Sequence, residues 1–388
     1  MRNSKSWLLV ITASLVGIGL VMVFSTSVVL AERYGSPVKL LFKQGAWLGL
    51  GLVAMLVAWR IDYRLYQKHW KLVAGITAAA LVAVLIPGVG TRLNGARRWI
   101  IFMGYSVQPS EFAKIGVTVF VAAYLCEHHR RLKSFARGFM PAVAMIAVVF
   151  GLIALEPDAG TALLVGAVAF AMLVVGGIRL KQLTPLVLVA APVVALAIFA
   201  KHDYIERRVA AFLNPSLDPM GAGYQARQSI LALGSGGLFG KGLGCGQIKN
   251  GFLPEAHTDF VLSIIGEELG LFGTLMVVGL FVGLIYHGMK VAHTAPDKFG
   301  FLVVFGLTLF IGLQAAINIA VVTASVPTKG ISLPLVSYGG SSLLATMLSL
   351  GIILNVAGAA EFVEETDREF EDICAIPEES ELSNELAV

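Results

Sequence analysis

The stretch LPEAHTDFVLSIIGEELG, residues 253–270, opens as a polar loop and turns into an apolar helix, yet it carries Glu255, His257, Asp259, Glu267 and Glu268. An ionised carboxylate near a bilayer centre costs about 2.5–3.5 kcal/mol, and such a group usually has a partner or a functional role. Ahead of residue 361, six acidic residues lie within or beside apolar runs on one side of the protein: Glu111, Glu156, Asp158, Asp259, Glu267 and Glu268. That concentration points to a polar cavity open to one face. Asp259 stands at the mouth of its helix, where water, loop and headgroups meet. A carboxylate there can serve as a general base, or it can simply cap the helix. Glu267 and Glu268 lie about 12–13 Å deeper at 1.5 Å per residue and are expected to knit the bundle through neighbouring helices.

Glu111 and Lys114 in PSEFAK are three apart, on one helical face. They form either an intrahelical ion pair that neutralises two costly charges or a site where Lys114 meets an anionic substrate. In EPDAG, residues 156–160, Asp158 can cap the following helix or belong to the cavity, and Glu156 sits beside it. Cations gather on the same face. Arg97 and Arg98 adjoin Trp99, and Arg207, Arg208, Arg227 and Lys329 add to them. Singly each reads as a headgroup contact; together they suit a lipid pyrophosphate, whose oxygens guanidinium groups bind in pairs. No His/Cys spacing indicates a tightly held transition metal or other tightly bound cofactor. A loosely held Mg²⁺ or Mn²⁺ on carboxylate and pyrophosphate oxygens is left open. The run GSGGLFGKGLGCG resembles a phosphate loop but fails as one, with Ser235 at the first glycine position and Gly242 in place of the Ser/Thr after Lys241.

The elements that must position these residues are membrane helices. Of the 388 residues, 57% are hydrophobic and 14% charged, far from the balance of a soluble chain. The expected class is an all-α integral membrane protein with about ten spans, at 7–30, 45–59, 72–86, 112–126, 139–155, 159–178, 183–200, 260–286, 301–323 and 335–360. Lys and Arg fall fifteen to eight between the two sides outside one long loop, which puts both termini in the cytoplasm. The long loop, 201–258, then lies outside. It includes the helical pattern GYQARQSILALG. Residues 1–360 form the membrane domain. From Glu361 the tail holds eleven acidic residues against Arg368 alone, and is expected to be solvated, cytoplasmic and without fixed structure. Cys126, Cys245 and Cys374 match no metal or redox spacing.

The motifs LPEAHTDF, IGEELG, NGARRWI, QPSEFAK, GYQ and PTKGISLPLVSYGGSS together resemble the SEDS family (shape, elongation, division and sporulation), and the resemblance covers the chain from Trp7 to about Ala360. The PTKGISLPLVSYGGSS stretch looks like the division branch. The resemblance implies a ten-span inner-membrane glycosyltransferase that polymerises lipid II at the outer face, at the septum. It also implies a class B penicillin-binding protein of the FtsI type as partner, with division regulators of the FtsQ/FtsL/FtsB and FtsN type, and no nucleic acid. In this family the aspartate of HTDF is regarded as catalytic, which is Asp259. Gln225 of GYQ and Ser337 of VSYGG join Arg97, Arg98, Glu111, Lys114, Arg207, Arg208 and Lys329 as expected substrate contacts. A β-linked product from an α-linked donor implies inversion, with one base and no covalent intermediate. A lipid II flippase, or an elongation or sporulation member of the family, are the alternatives.

Overall fold

The computed structural model describes residues 2–29, 36, 38–93, 96–102, 104–132, 134–178, 181–182, 212 and 221–374. In chain order the helices are α1 (Arg2–Val29), α2 (Lys39–Arg60), α3 (Arg64–Lys68) and α4 (Trp70–Leu85), then α5 (Pro109–Glu127), α6 (Met140–Leu155) and α7 (Ala159–Val175). After them come α8 (Ala222–Ser235), α9 (Val261–His293), α10 (Lys298–Val322) and α11 (Gly340–Cys374). Among the described residues seven helices are long and apolar enough to cross a membrane, and α4 and α7 are shorter apolar helices. The chain is a multi-pass membrane protein. The expected span at 183–200 lies outside the described residues, as do Arg207 and Arg208.

Burial separates the inner helices from the outer ones. The apolar window of α5 is 89% buried, against 28% for α2. Around α5 pack α4, α7 and α10; α2 runs along α11, and α1 along α9. Close approach between α2 and α11 needs Gly351, where a Cβ would fall 2.4 Å from the Met55 carbonyl oxygen. Lys5 of α1 pairs with Glu361 of α11 at 3.0 Å, so the two ends of the described chain meet on one side of the bundle.

The span expected at 260–286 is a broken helix. At Gly270 the backbone leaves the helical region (φ 69°, ψ −163°), a conformation open chiefly to glycine. The freed groups are taken by the glycine-rich run. Lys241 and Gly242 donate their amides to the carbonyls of Glu267 and Glu268, each at 3.0 Å, while Leu271 and Phe272 donate theirs to Gly237 and Leu238 at 2.9 and 3.2 Å. The loop that resembles a phosphate cradle is thus threaded into a helix.

Two features depart from an all-helical body with an unstructured tail. Between α4 and α5 lies a three-stranded antiparallel sheet, β1 (Thr91–Leu93), β2 (Ala96–Phe102) and β3 (Tyr105–Val107). Its pairs include Arg92 with Arg97 and Ile101 with Ser106. Strands β1 and β3 are too short to show a period in sequence, and the seven residues of β2, ARRWIIF, do not alternate. The acidic tail is not wholly irregular either, since α11 continues past residue 360 to Cys374. Cys126 and Cys245 are free thiols.

Candidate active site

The α9 helix starts at Val261, with Phe260 at its N-cap and no side-chain cap. Asp259 is therefore not spent on capping. It is presented by a turn in which Glu255, at a left-handed φ of 56°, accepts through its carbonyl from the amides of Thr258 (3.2 Å), Asp259 (3.1 Å) and Phe260 (3.4 Å). Such a backbone is uncommon for a residue with a side chain. The carbonyl of Asp259 is held from the other side by Asn318 Nδ2, at 2.8 Å. The same amide donates to the carbonyl of Ile331, again at 2.8 Å. One buried side chain on α10 thereby ties the Asp259 turn to the loop that enters α11. The carboxylate lies against Gly330, where a Cβ would come within 3.0 Å of Oδ2.

Asp259 opens on a cavity of about 250 Å³. Arg98, Glu111, Lys114, Asp158 and Glu255 also line it. Lys114 Nζ donates to Glu111 at 2.8 Å and to Gln314 Oε1 at 2.6 Å, so two of its three donors are in use. Gln314 turns its other end to the Ser332 carbonyl at 3.0 Å and to Ser342 Oγ at 3.3 Å. Asp158 caps α7 through the amide of Thr161 (3.1 Å) and also accepts from Thr161 Oγ1 (2.8 Å) and Gln108 Nε2 (3.1 Å). Arg98 Nη1 lies 3.8 Å from Asp158. Asp158 thus both caps its helix and faces the cavity. Among the described residues no group of three or more His, Cys, Asp and Glu could hold a metal ion.

The proton affinity of Asp259 suits a base. Burial first, and then the neighbouring charge of Glu255, raise its carboxyl from the usual carboxylate range to about 7, against the opposing pull of Arg98. Glu156, in the turn before Asp158, is raised to about 8 by burial first and then by Asp158, again opposed by Arg98. Its side chain is fully buried, and among the described residues neither oxygen has a hydrogen-bond partner.

Other expected site residues sit apart from the cavity. Arg97 turns away and donates from Nη1 to the Leu85 carbonyl at 3.2 Å. Ser337 is buried in the turn before α11, its Oγ accepting from the Leu333 amide at 2.8 Å. Gln225 is on α8 and Lys329 on the loop beside Gly330, and neither lines the cavity. Glu267 and Glu268 form a separate cluster. Glu267 accepts from Lys241 Nζ (2.8 Å) and from the amides of Gln247 (2.9 Å) and Ile248 (3.1 Å). Glu268 accepts from Lys249 Nζ (2.6 Å), Ser25 Oγ (2.8 Å) and the Gly244 amide (3.0 Å). Of these contacts only Ser25 is on a neighbouring helix; the rest hold the glycine-rich loop.

Comparison with known proteins gives this arrangement its relatives. Residues 6–361 match the FtsW/RodA/SpoVE family model, described as cell cycle proteins. The chain belongs to the FtsW/RodA/SpoVE family. A probable peptidoglycan glycosyltransferase FtsW from Geobacter metallireducens is 41% identical over 90% of this chain and 93% of its own. The stage V sporulation protein E of Bacillus subtilis is 40% identical over 90% and 96%. Among solved structures, a chain from a peptidoglycan synthase complex that coordinates polymerization and crosslinking superposes with a TM-score of 0.74 at 29% identity, covering 91% of this chain and 97% of that one. The rod shape determining protein RodA of Thermus thermophilus gives 0.65 at 28% identity, covering 91% and 96%.

In this FtsW/RodA/SpoVE chain the residues that sequence reasoning passed over are Gln314 and Asn318. They stand four apart on α10 and are both buried. Their signal was available. Two amides at i, i+4 inside an apolar run need partners across the bundle.

Proposed function

We propose that the chain polymerises lipid II into glycan strands at the outer face of the cytoplasmic membrane, serving septal wall synthesis in division. The observation that carries this reading is the Asp259 carboxylate. It faces a cavity without a capping duty, and its proton affinity is near neutral. In the reaction Asp259 takes the proton from a sugar hydroxyl as the oxygen attacks the anomeric carbon of a lipid-linked muramyl sugar. Undecaprenyl pyrophosphate leaves with inversion. Its charge is met by outer-face cations, with Arg98 at the cavity and Lys329 beside Gly330 in support. A Mg²⁺ or Mn²⁺ brought in with the pyrophosphate would add to that charge stabilisation, with a cavity carboxylate such as Glu255 to hold it. The names of the FtsW relatives favour this reading over a flippase.

Ten spans, both termini in the cytoplasm and an outer 201–258 loop complete the proposal, on the Lys/Arg asymmetry and the Lys5–Glu361 contact. A class B penicillin-binding protein is the proposed partner, by analogy with the synthase complex; division regulators would join it at the septum. The test is polymerisation of labelled lipid II by the purified chain, alone and with that partner. Polymer supports the reading; a flippase makes none. Orientation is read by an impermeant thiol reagent on spheroplasts, which should label the exposed Cys245 and spare Cys126 and Cys374.

A further inference from the structure

The end of the bundle away from Asp259 holds a group of cations without counter-charges. Helix α5 begins at the cavity with Glu111 and Lys114 and ends at Glu127, about 20 Å beyond Lys114 at 1.5 Å per residue. At that end Lys5 pairs with Glu361, Arg64 with Asp297, and Lys298 donates to the Gly176 carbonyl at 3.0 Å. Lys68, Lys71, Arg130 and Arg131 are not matched in this way. All four are exposed, and none has an ion pair among the described residues.

These cations surround two adjoining cavities. One, of about 380 Å³, is lined by Lys68, Lys71 and Trp70. The other, of about 420 Å³, is lined by Arg130 and Arg131 with His128 and His129. Glu127 lines both and is the one carboxylate among four cations. It accepts from Trp70 Nε1 at 2.9 Å. Helix α4 opens against the first cavity with no side-chain cap and no acidic residue in its first turn, where Lys71 stands instead. Its N-terminal dipole adds to the positive potential, and the carboxyl end of α5 offsets part of it. The balance calls for an anion.

The surface next to the cavities shows what carries that anion. Leu72 and Ile76 stand one turn apart on α4 and are 61% and 59% exposed. In a membrane helix such side chains face acyl chains, while Trp70 and the lysines mark the headgroup level. Charge and apolar surface therefore follow one another along α4, as they do along a phospholipid.

We propose that the two cavities bind the headgroup of an anionic phospholipid from the adjoining leaflet, with its acyl chains lying along α4 at Leu72 and Ile76. Basic pockets between membrane helices take such headgroups. The phosphate supplies the missing counter-charge, and the guanidinium groups of Arg130 and Arg131 can bind its oxygens in pairs. A free phosphate would meet the same cations but gain nothing from the apolar strip.

Native mass spectrometry of the full chain in detergent tests the site, with phosphatidylglycerol as the anionic probe and phosphatidylcholine as the neutral one. Wild type should retain phosphatidylglycerol in preference to phosphatidylcholine. A basic residue near a membrane surface contributes about fivefold in binding, so Lys68→Gln with Lys71→Gln should weaken retention about 30-fold. Arg130→Gln with Arg131→Gln should do the same. Arg60→Gln with Lys290→Gln removes equal charge from the ends of α2 and α9, outside both cavities, and should change retention less than about twofold. All six positions are exposed, so the variants should fold. Glycerol phosphate at millimolar concentration should not displace the lipid. The assignment is overturned if wild type shows no preference for phosphatidylglycerol, as would follow if the acidic tail from Glu361 covered the cations. It is also overturned if the Arg60/Lys290 pair weakens retention as much as the cavity pairs, which would leave only diffuse charge. Displacement by glycerol phosphate would overturn it as well, by making the site one for free phosphate.

Discussion

Two groups of carboxylates share one stretch of chain and differ in how they are satisfied. Glu267 and Glu268 are fully buried, and each has a lysine and at least one backbone amide for its oxygens. Asp259, with Glu255 beside it, faces a cavity, and its burial and that neighbour raise its proton affinity to near neutral. The first group closes a structural problem, the break at Gly270, by locking the glycine-rich loop into the helix. Among the described residues the second has no ion pair within contact distance, with only Thr258 Oγ1 donating to Glu255 at 3.1 Å, and it faces a cavity that a ligand can reach. A satisfied carboxylate contributes to folding, whereas one kept unsatisfied beside a cavity is available for chemistry.

Substitutions can break this contrast. The largest expected effect on folding is at the clamp. Lys249→Met leaves Glu268 buried with its main counter-charge gone, which should cost about 3–5 kcal/mol. A sharp loss of thermal stability in detergent, and with it of folded protein, is the expected reading. A variant as stable as wild type would show that the clamp is not what holds the loop.

Asn318 sharpens the contrast by joining the two sides of the cavity mouth. Asn318→Ala removes the donor to the Asp259 and Ile331 carbonyls, at about 1–3 kcal/mol for the stranded groups. Misplacing a base by about 1 Å can cost 10²-fold in rate, so kcat should fall about 10- to 100-fold with KM little changed. A fall in folded protein with normal kcat per folded molecule would make Asn318 a stability residue only.

A smaller effect lies in the pH profile. Asp259 must be ionised to accept a proton, so the polymerisation rate should rise with pH through about 7. Burial is the larger cause of that raised value and Glu255 the next. Glu255→Gln should therefore move the acid limb to lower pH without abolishing it. An unmoved limb would mean that Glu255 does not act on the titrating group.

How far the sequence could be read follows from the range of each interaction. The helices are local, and their apolar runs appear close to the expected places wherever the chain is described, except that the last helix begins at Gly340 and leaves 335–339 in a turn. The Glu111–Lys114 contact is one helical turn, and it too was readable as one of two alternatives. The partners of Glu267 and Glu268 come from residues 19 to 26 positions earlier and from Ser25. No periodicity encodes such pairings. The turn of direction at Gly270 was hidden for the same reason, because a helix interrupted by a distant loop reads as one continuous span. Arg97 and Arg98 looked equivalent as neighbours in a loop; the strand they occupy sends one to the end of α4 and the other to the cavity.

Asp259→Asn tests the central claim most directly, with lipid II polymerisation rate and thermal stability measured on the same preparation. The replacement keeps the shape and removes the proton acceptor. General base catalysis contributes about 10²–10⁴-fold, so the rate should fall by that much. Stability should move the other way. A carboxyl whose folded proton affinity is raised from its ordinary value to about 7 binds more protons folded than unfolded between about pH 4 and 7, so its contribution to stability is lost as pH rises through 7. At pH 8 the uncharged variant should therefore unfold at a temperature no lower than wild type. A variant that polymerises lipid II at the wild-type rate would contradict the account.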